Sequence, residues 1–111
     1  MAKVYRIVPE WFWFDGITVL GRVFAKKSAP QRLIDHEMVH VGQQAADGWR
    51  FYVRYTFSRR WRARYEAQAY AVQVRAGESL SAVAALLASW RYLWPCSKST
   101  AAQLIDAEAR A

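Results

Sequence analysis

Ile34-Asp35-His36-Glu37-Met38-Val39-His40-Val41-Gly42-Gln43-Gln44-Ala45 carries two patterns at once. Ile34, Met38, Val41 and Ala45 recur at helical spacing and predict an apolar stripe on a helix. His36 and His40, the only two histidines of the chain, lie beside that stripe. They are one turn apart, so both imidazoles project from the same face. Two imidazoles so placed can each turn a nitrogen toward one Zn²⁺ ion at about 2.0–2.1 Å. Glu37 stands beside the pair, near enough to act on a zinc-activated water without being a ligand. Two imidazoles do not complete a zinc site, so a third ligand has to come from elsewhere.

Working outward, Lys26-Lys27-Ser28-Ala29-Pro30 breaks the preceding strand and leads into this helix. Ser28 is the expected cap and Pro30 is tolerated in the first turn. Asp47-Gly48 ends the helix, with Gly48 supplying a positive φ. Before it, Val4 to Val8 reads as a short strand stopped by Pro9. Trp11 to Phe14 are four aromatics in a row, closed by the turn signal Asp15-Gly16. Ile17 to Phe24 is β-branched and aromatic, so a two-stranded antiparallel element is expected. If that strand forms a sheet edge beside the histidines, it could hold an extended peptide through main-chain bonds.

Beyond the first helix, Trp49 to Ser58 predicts a second and Trp61 to Ala76 a third, with Gly77 as its stop. Trp61, Tyr65, Ala69 and Val72 form the third helix's stripe. Ser79 or Ser81 opens a fourth, Ala82 to Trp94, ended by Pro95, and Ser99 caps a last one from Thr100 onward. No repeat or low-complexity linker interrupts the series. The expectation is one α+β domain over residues 1–111, a strand pair followed by about five helices.

For the third ligand, the extended H-E-x-x-H-x-x-G-x-x-H pattern is closed, because Gln43 and Ala46 occupy its glycine and histidine positions. Asp47 is conceivable, although Asp47-Gly48 already has a turn or helix-end role. Glu66 flanks the stripe of the third helix and should point to the core edge where the first helix packs. An unpaired carboxylate there would be costly, and a metal would explain it. The competing reading pairs Glu66 with Arg62, one turn earlier. Water in the fourth position would make the site catalytic rather than structural. Tyr70 shares the face of Glu66 and could donate to an oxyanion or steady a ligand; equally, it could simply pack in the core.

Formal charge is +7, and the excess is uneven. Arg50, Arg54, Arg59, Arg60, Arg62 and Arg64 lie between Asp47 and Glu66 with no acid among them. Such a face could attract nucleic acid, anionic lipid or an acidic protein, or could simply be a solvated helical surface. Cys96 is the single cysteine, so no intrachain disulfide can form, and it reads as a packing residue. Met1 to Arg6 lacks the apolar run of a leader, and Leu80 to Trp94, broken by Arg91, is too short to span a bilayer. These features predict a soluble protein without a membrane span, in a reducing, cytoplasmic compartment.

His36 to Gln44, followed later by Tyr65-Glu66-Ala67-Gln68-Ala69-Tyr70, resembles the small gluzincin-type (HExxH…E) metallopeptidases of bacteria and their phages. The resemblance covers roughly residues 17 to 75. It implies a zincin-like fold and one Zn²⁺ held by His36, His40 and Glu66, the glutamate of the later "E-x-x-A-Y" helix. It also implies Glu37 as general base in the hydrolysis of a protein or peptide. The chain departs from larger gluzincins in having Tyr65 before that glutamate and Tyr70 four after it, where an asparagine and an aspartate are usual. The alternative is a non-catalytic, zinc-stabilised binding or scaffold protein that uses its arginine face on an anionic partner.

Overall fold

The polar face of the histidine helix is buried as deeply as its apolar one, and the rest of the fold is arranged around that fact. The computed structural model describes residues 3–111; Met1 and Ala2, where the leader reading began, lie outside the described residues. Strands β1 (Val4–Tyr5), β2 (Gly16–Val19) and β3 (Arg22–Ala25) precede helices α1 (Gln31–Asp47), α2 (Trp49–Phe57), α3 (Arg59–Arg75), α4 (Leu80–Leu87) and α5 (Lys98–Arg110). The result is an α+β fold with a three-stranded sheet in the order β1-β3-β2.

The sheet corrects the expected strand pair. Ile17 to Phe24 is not one strand but a hairpin, because Leu20 (φ 51°) and Gly21 (φ 73°) both take left-handed backbone. Two such residues in a row make the type I′ turn that matches strand twist. Asp15-Gly16, expected to turn, instead leads into β2. The first strand is also shorter than Val4 to Val8, pairing in parallel only at Val4–Val23 and Tyr5–Phe24.

Helix α1 lays Ile34, with Leu33, Met38 and Val41, against Val23, Ala25 and Ala29. Ala45, the last member of the expected stripe, is exposed. On the other side His36, Glu37, His40, Gln43 and Gln44 are buried. Ser28 does not cap this helix. Pro30 occupies the cap position, and the Ser28 hydroxyl donates to Glu10 instead. Gly48 ends the helix at φ 58°, as expected.

Helix α3 is the central element, touched by α1, α2, α4 and α5. Ala67 and Tyr70 join Val83, Ala84, Leu87, Ala101 and Ile105 in the main apolar core, with Cys96 packed at its margin. Serine caps set three helix starts, and Ser79 is one of the two expected openers. Ser58, Ser79 and Ser97 each accept a backbone N–H, so α3 begins at Arg59, α4 at Leu80 and α5 at Lys98. The expected helix Ala82 to Trp94 ends early, at Leu87. Ser89 caps a single 3₁₀ turn, Trp90–Tyr92, and Leu93 (φ 59°) and Trp94 (φ 47°) then turn the chain left-handed before Pro95.

Arg62 leaves the expected basic face altogether. It is buried, and its guanidinium donates to the carbonyls of Tyr55 (2.7 Å), Thr56 (2.7 Å) and Tyr92 (3.3 Å). It caps the end of α2 and does not pair with Glu66. Among the described residues, no helix is long and apolar enough to cross a membrane.

Candidate metal centre

The α1–α3 packing sets the two histidines against one carboxylate. Glu66 Oε1 lies 3.1 Å from His36 Nε2 and 3.1 Å from His40 Nε2. All three residues are buried, and their ligand-type atoms lie within 4.8 Å of one another. Tetrahedral coordination with bonds of about 2.0–2.1 Å needs ligand atoms roughly 3.3 Å apart. The two carboxylate–imidazole separations are near that value, and the donor set could hold a metal ion. Asp47, the other third-ligand candidate, is elsewhere, accepting from the Tyr65 hydroxyl at 2.6 Å and facing Arg54 at 3.6 Å.

Two glutamines that the sequence reading passed over decide where the imidazole protons sit. The Gln43 amide nitrogen donates to the Tyr65 carbonyl (2.9 Å) and to Gln68 Oε1 (2.8 Å). That turns Gln43 Oε1 toward His40 Nδ1 at 2.8 Å. In the same way Gln73 donates to Glu78 Oε2 at 3.0 Å and presents Oε1 to His36 Nδ1 at 2.7 Å. An amide oxygen only accepts, so each Nδ1 carries a proton. In neutral imidazoles both Nε2 lone pairs then aim at a carboxylate oxygen that also only accepts. Three acceptors converging in a buried site require a cation, either protons or a metal ion.

The remaining oxygen of Glu66 is held by the Tyr55 hydroxyl, which donates to it from α2. Glu37 Oε2 accepts from the Thr18 hydroxyl of β2 at 2.7 Å. Tyr70 sets its ring edge-on to His36, with centroids 4.4 Å apart, but its hydroxyl pairs with that of Tyr92 at 2.7 Å and not with Glu66. The structure thus gathers all five expected site residues, His36, Glu37, His40, Glu66 and Tyr70, in the wall of one cleft. To that wall it adds Thr18, Tyr55, Gln73 and Tyr92, and behind His40 it adds Gln43; only the glutamines left a trace in the sequence. Gln43 is one turn after His40, and Gln73 is two turns after Glu66 on the same face.

Burial pulls the His40 imidazole down, but the Glu66 carboxylate outweighs it and holds the pKa at about 9. Burial pushes the Glu66 carboxyl up, yet the two imidazoles hold it below the usual carboxylate range. The Tyr55 phenol is raised by burial and by the charge of Glu66, so it remains a donor. A base with a raised folded-state pKa binds its proton more tightly when folded. Its stabilisation is therefore complete below about pH 6.5 and is lost as pH climbs through about 9. Urea melts in chelator should show metal-free protein losing on the order of 3 kcal/mol across that window. Zinc-saturated protein should not follow this trend, because metal binding needs the deprotonated imidazole.

The cleft holds about 600 Å³, and β2 lines it together with Tyr52 and Thr56 of α2 and with Leu86, Arg91 and Tyr92. Strand β2 is a sheet edge. The turn at Leu20-Gly21 makes Val19–Arg22 the closing pair of the hairpin, so Ile17 and Asp15 bond inward in alternation; the Lys26 N–H to Asp15 carbonyl bond (2.9 Å) keeps that phase. The N–H and C=O groups of Gly16 and Thr18 consequently face outward. Gln44 takes the Thr18 carbonyl at 3.0 Å. Among the described residues, neither main-chain group of Gly16 nor the Thr18 N–H has a hydrogen-bond partner.

No family model, no curated protein and no solved structure matches this chain.

Proposed function

We propose that this protein is a zinc-dependent metallopeptidase of zincin type, with His36, His40 and Glu66 holding one Zn²⁺ and Glu37 as general base. One observation carries the proposal: two imidazoles whose Nδ1 atoms face amide oxygens turn both Nε2 atoms onto one buried carboxylate oxygen in a peptide-sized cleft, a donor set that needs a cation at its centre. A bound Zn²⁺ supplies Lewis-acid chemistry there, bringing the ionisation of water close to neutral pH.

The chain's own residues do the rest. Glu37, oriented by Thr18, takes the proton of the attacking water and later passes it to the leaving amine. An extended substrate pairs with the outward main-chain groups of Gly16 and Thr18, which lays its carbonyls alongside the site. In the Tyr70–Tyr92 pair one hydroxyl donates to the other, so one phenolic hydrogen stays free to meet a developing oxyanion. Tyr55 occupies the second oxygen of Glu66 and leaves that carboxylate a single oxygen to offer.

The experiment is elemental analysis of the purified protein, followed by a degenerate peptide library read by mass spectrometry. One zinc per chain and cleavage abolished by chelator are expected. Full zinc with no cleavage would overturn the catalytic reading and leave zinc a role in stability alone.

A further inference from the structure

Helix α2 buries Phe51 and turns Tyr52, Tyr55 and Thr56 toward the cleft. Its opposite face carries Trp49, Val53 and Phe57 at successive turns, 68%, 47% and 83% exposed. Among the described residues, nothing covers this stripe. At one margin lies the β2–β3 hairpin tip, tied to α2 by the Leu20 N–H to Tyr52 hydroxyl bond at 2.9 Å. Leu20 itself is 71% exposed and sits at a positive φ where Asn, Asp or Gly is usual in such a turn. A large aliphatic side chain is held outward there in a backbone shape it disfavours.

Along the other margin run Arg50 and Arg54, and Arg59 and Arg60 follow directly after Phe57. Arg50 lies over the Trp49 ring at 5.2 Å, and Arg54 over that of Trp61 at 4.1 Å. Of the acids nearest in sequence, Asp47 offsets Arg54 at 3.6 Å and Glu66 is buried at the histidines, which leaves the charges of Arg50, Arg59 and Arg60 to form the rim. The surface is thus an apolar stripe with a cationic rim.

We propose that this face docks the protein on an anionic lipid bilayer, independently of what the metal centre does. The mixture of side chains chooses the occupant. Nucleic-acid bases stack on aromatic rings and gain little from Val53 or Leu20. The boundary between headgroups and acyl chains accepts Trp, Phe, Val and Leu alike, while arginines meet lipid phosphates.

Co-sedimentation of the full chain with phosphatidylcholine vesicles, with and without phosphatidylglycerol, tests this. Binding should be at least about tenfold stronger with phosphatidylglycerol and weaken at raised salt. Val53→Ser with Phe57→Ser should lose about tenfold or more, as should Arg59→Gln with Arg60→Gln. All four side chains are exposed, so circular dichroism should be unchanged, and Leu20→Ser gives an independent third reading in the same direction. Equal binding to both vesicle types, none to either, or full binding by the serine variants overturns the proposal. So does a single-stranded oligonucleotide that binds while the anionic vesicles do not.

Discussion

Glu66→Ala protein should lose at least about 100-fold in zinc affinity, more than the 10–100-fold that removing an orienting partner costs. The substitution takes away the one oxygen that both Nε2 atoms face at 3.1 Å, and neither Asp47 nor Glu78 is free to replace it. Asp47 is committed to Tyr65 and Arg54, while Glu78 is committed to Gln73 and Arg32. Asp47→Ala should therefore keep its zinc and lose only stability, from the orphaned Tyr65 hydroxyl. Competition against a chromogenic chelator separates the two variants. Parental zinc affinity in Glu66→Ala would remove Glu66 from the ligand set.

Glu37→Gln should have the opposite signature. Zinc content stays at the parental level, because Glu37 lies outside the converging donor set. Peptide hydrolysis falls by about 10²–10⁴-fold, the usual contribution of a positioned general base. Glutamine keeps an oxygen for the Thr18 hydroxyl, which now approaches Glu37 Oε2 at 2.7 Å, so the fold around β2 should not change. Single-turnover cleavage of a library-selected peptide is the measurement. A variant that still cleaves at the parental rate would exclude Glu37 as the base.

The local parts of this molecule could be read from sequence, and the parts set by tertiary contact could not. The helix around His36 and His40, its stop at Gly48 and the meeting of α1 with Glu66 followed from spacing, turn chemistry and the cost of a buried carboxylate. The hairpin was missed because β-branched and aromatic residues continue across Leu20-Gly21, and only the glycine marked the turn. Helix α4 was extended too far because Ala88 to Trp94 has no breaker before Pro95; the Ser89 cap and the left-handed Leu93 and Trp94 decide it. Arg62 looked like its neighbours in an arginine-rich run. Only the packed end of α2 shows that its partners are carbonyls. The roles of Thr18 and Tyr55 could not have been found, since single polar residues on other elements carry no spacing signal toward a histidine pair.

The two amides behind the histidines have a consequence for charge balance. Where carboxylates stand behind zinc-ligating imidazoles, they add negative charge to the centre and donate electron density through the ring. Gln43 and Gln73 are neutral and do not titrate, so they add no charge to the centre. With Zn²⁺ bound, Glu66 and Glu37 alone would oppose its two positive charges, and the centre would be formally neutral. Such a metal would be less electron-rich than one backed by carboxylates, and so a stronger Lewis acid toward an amide carbonyl.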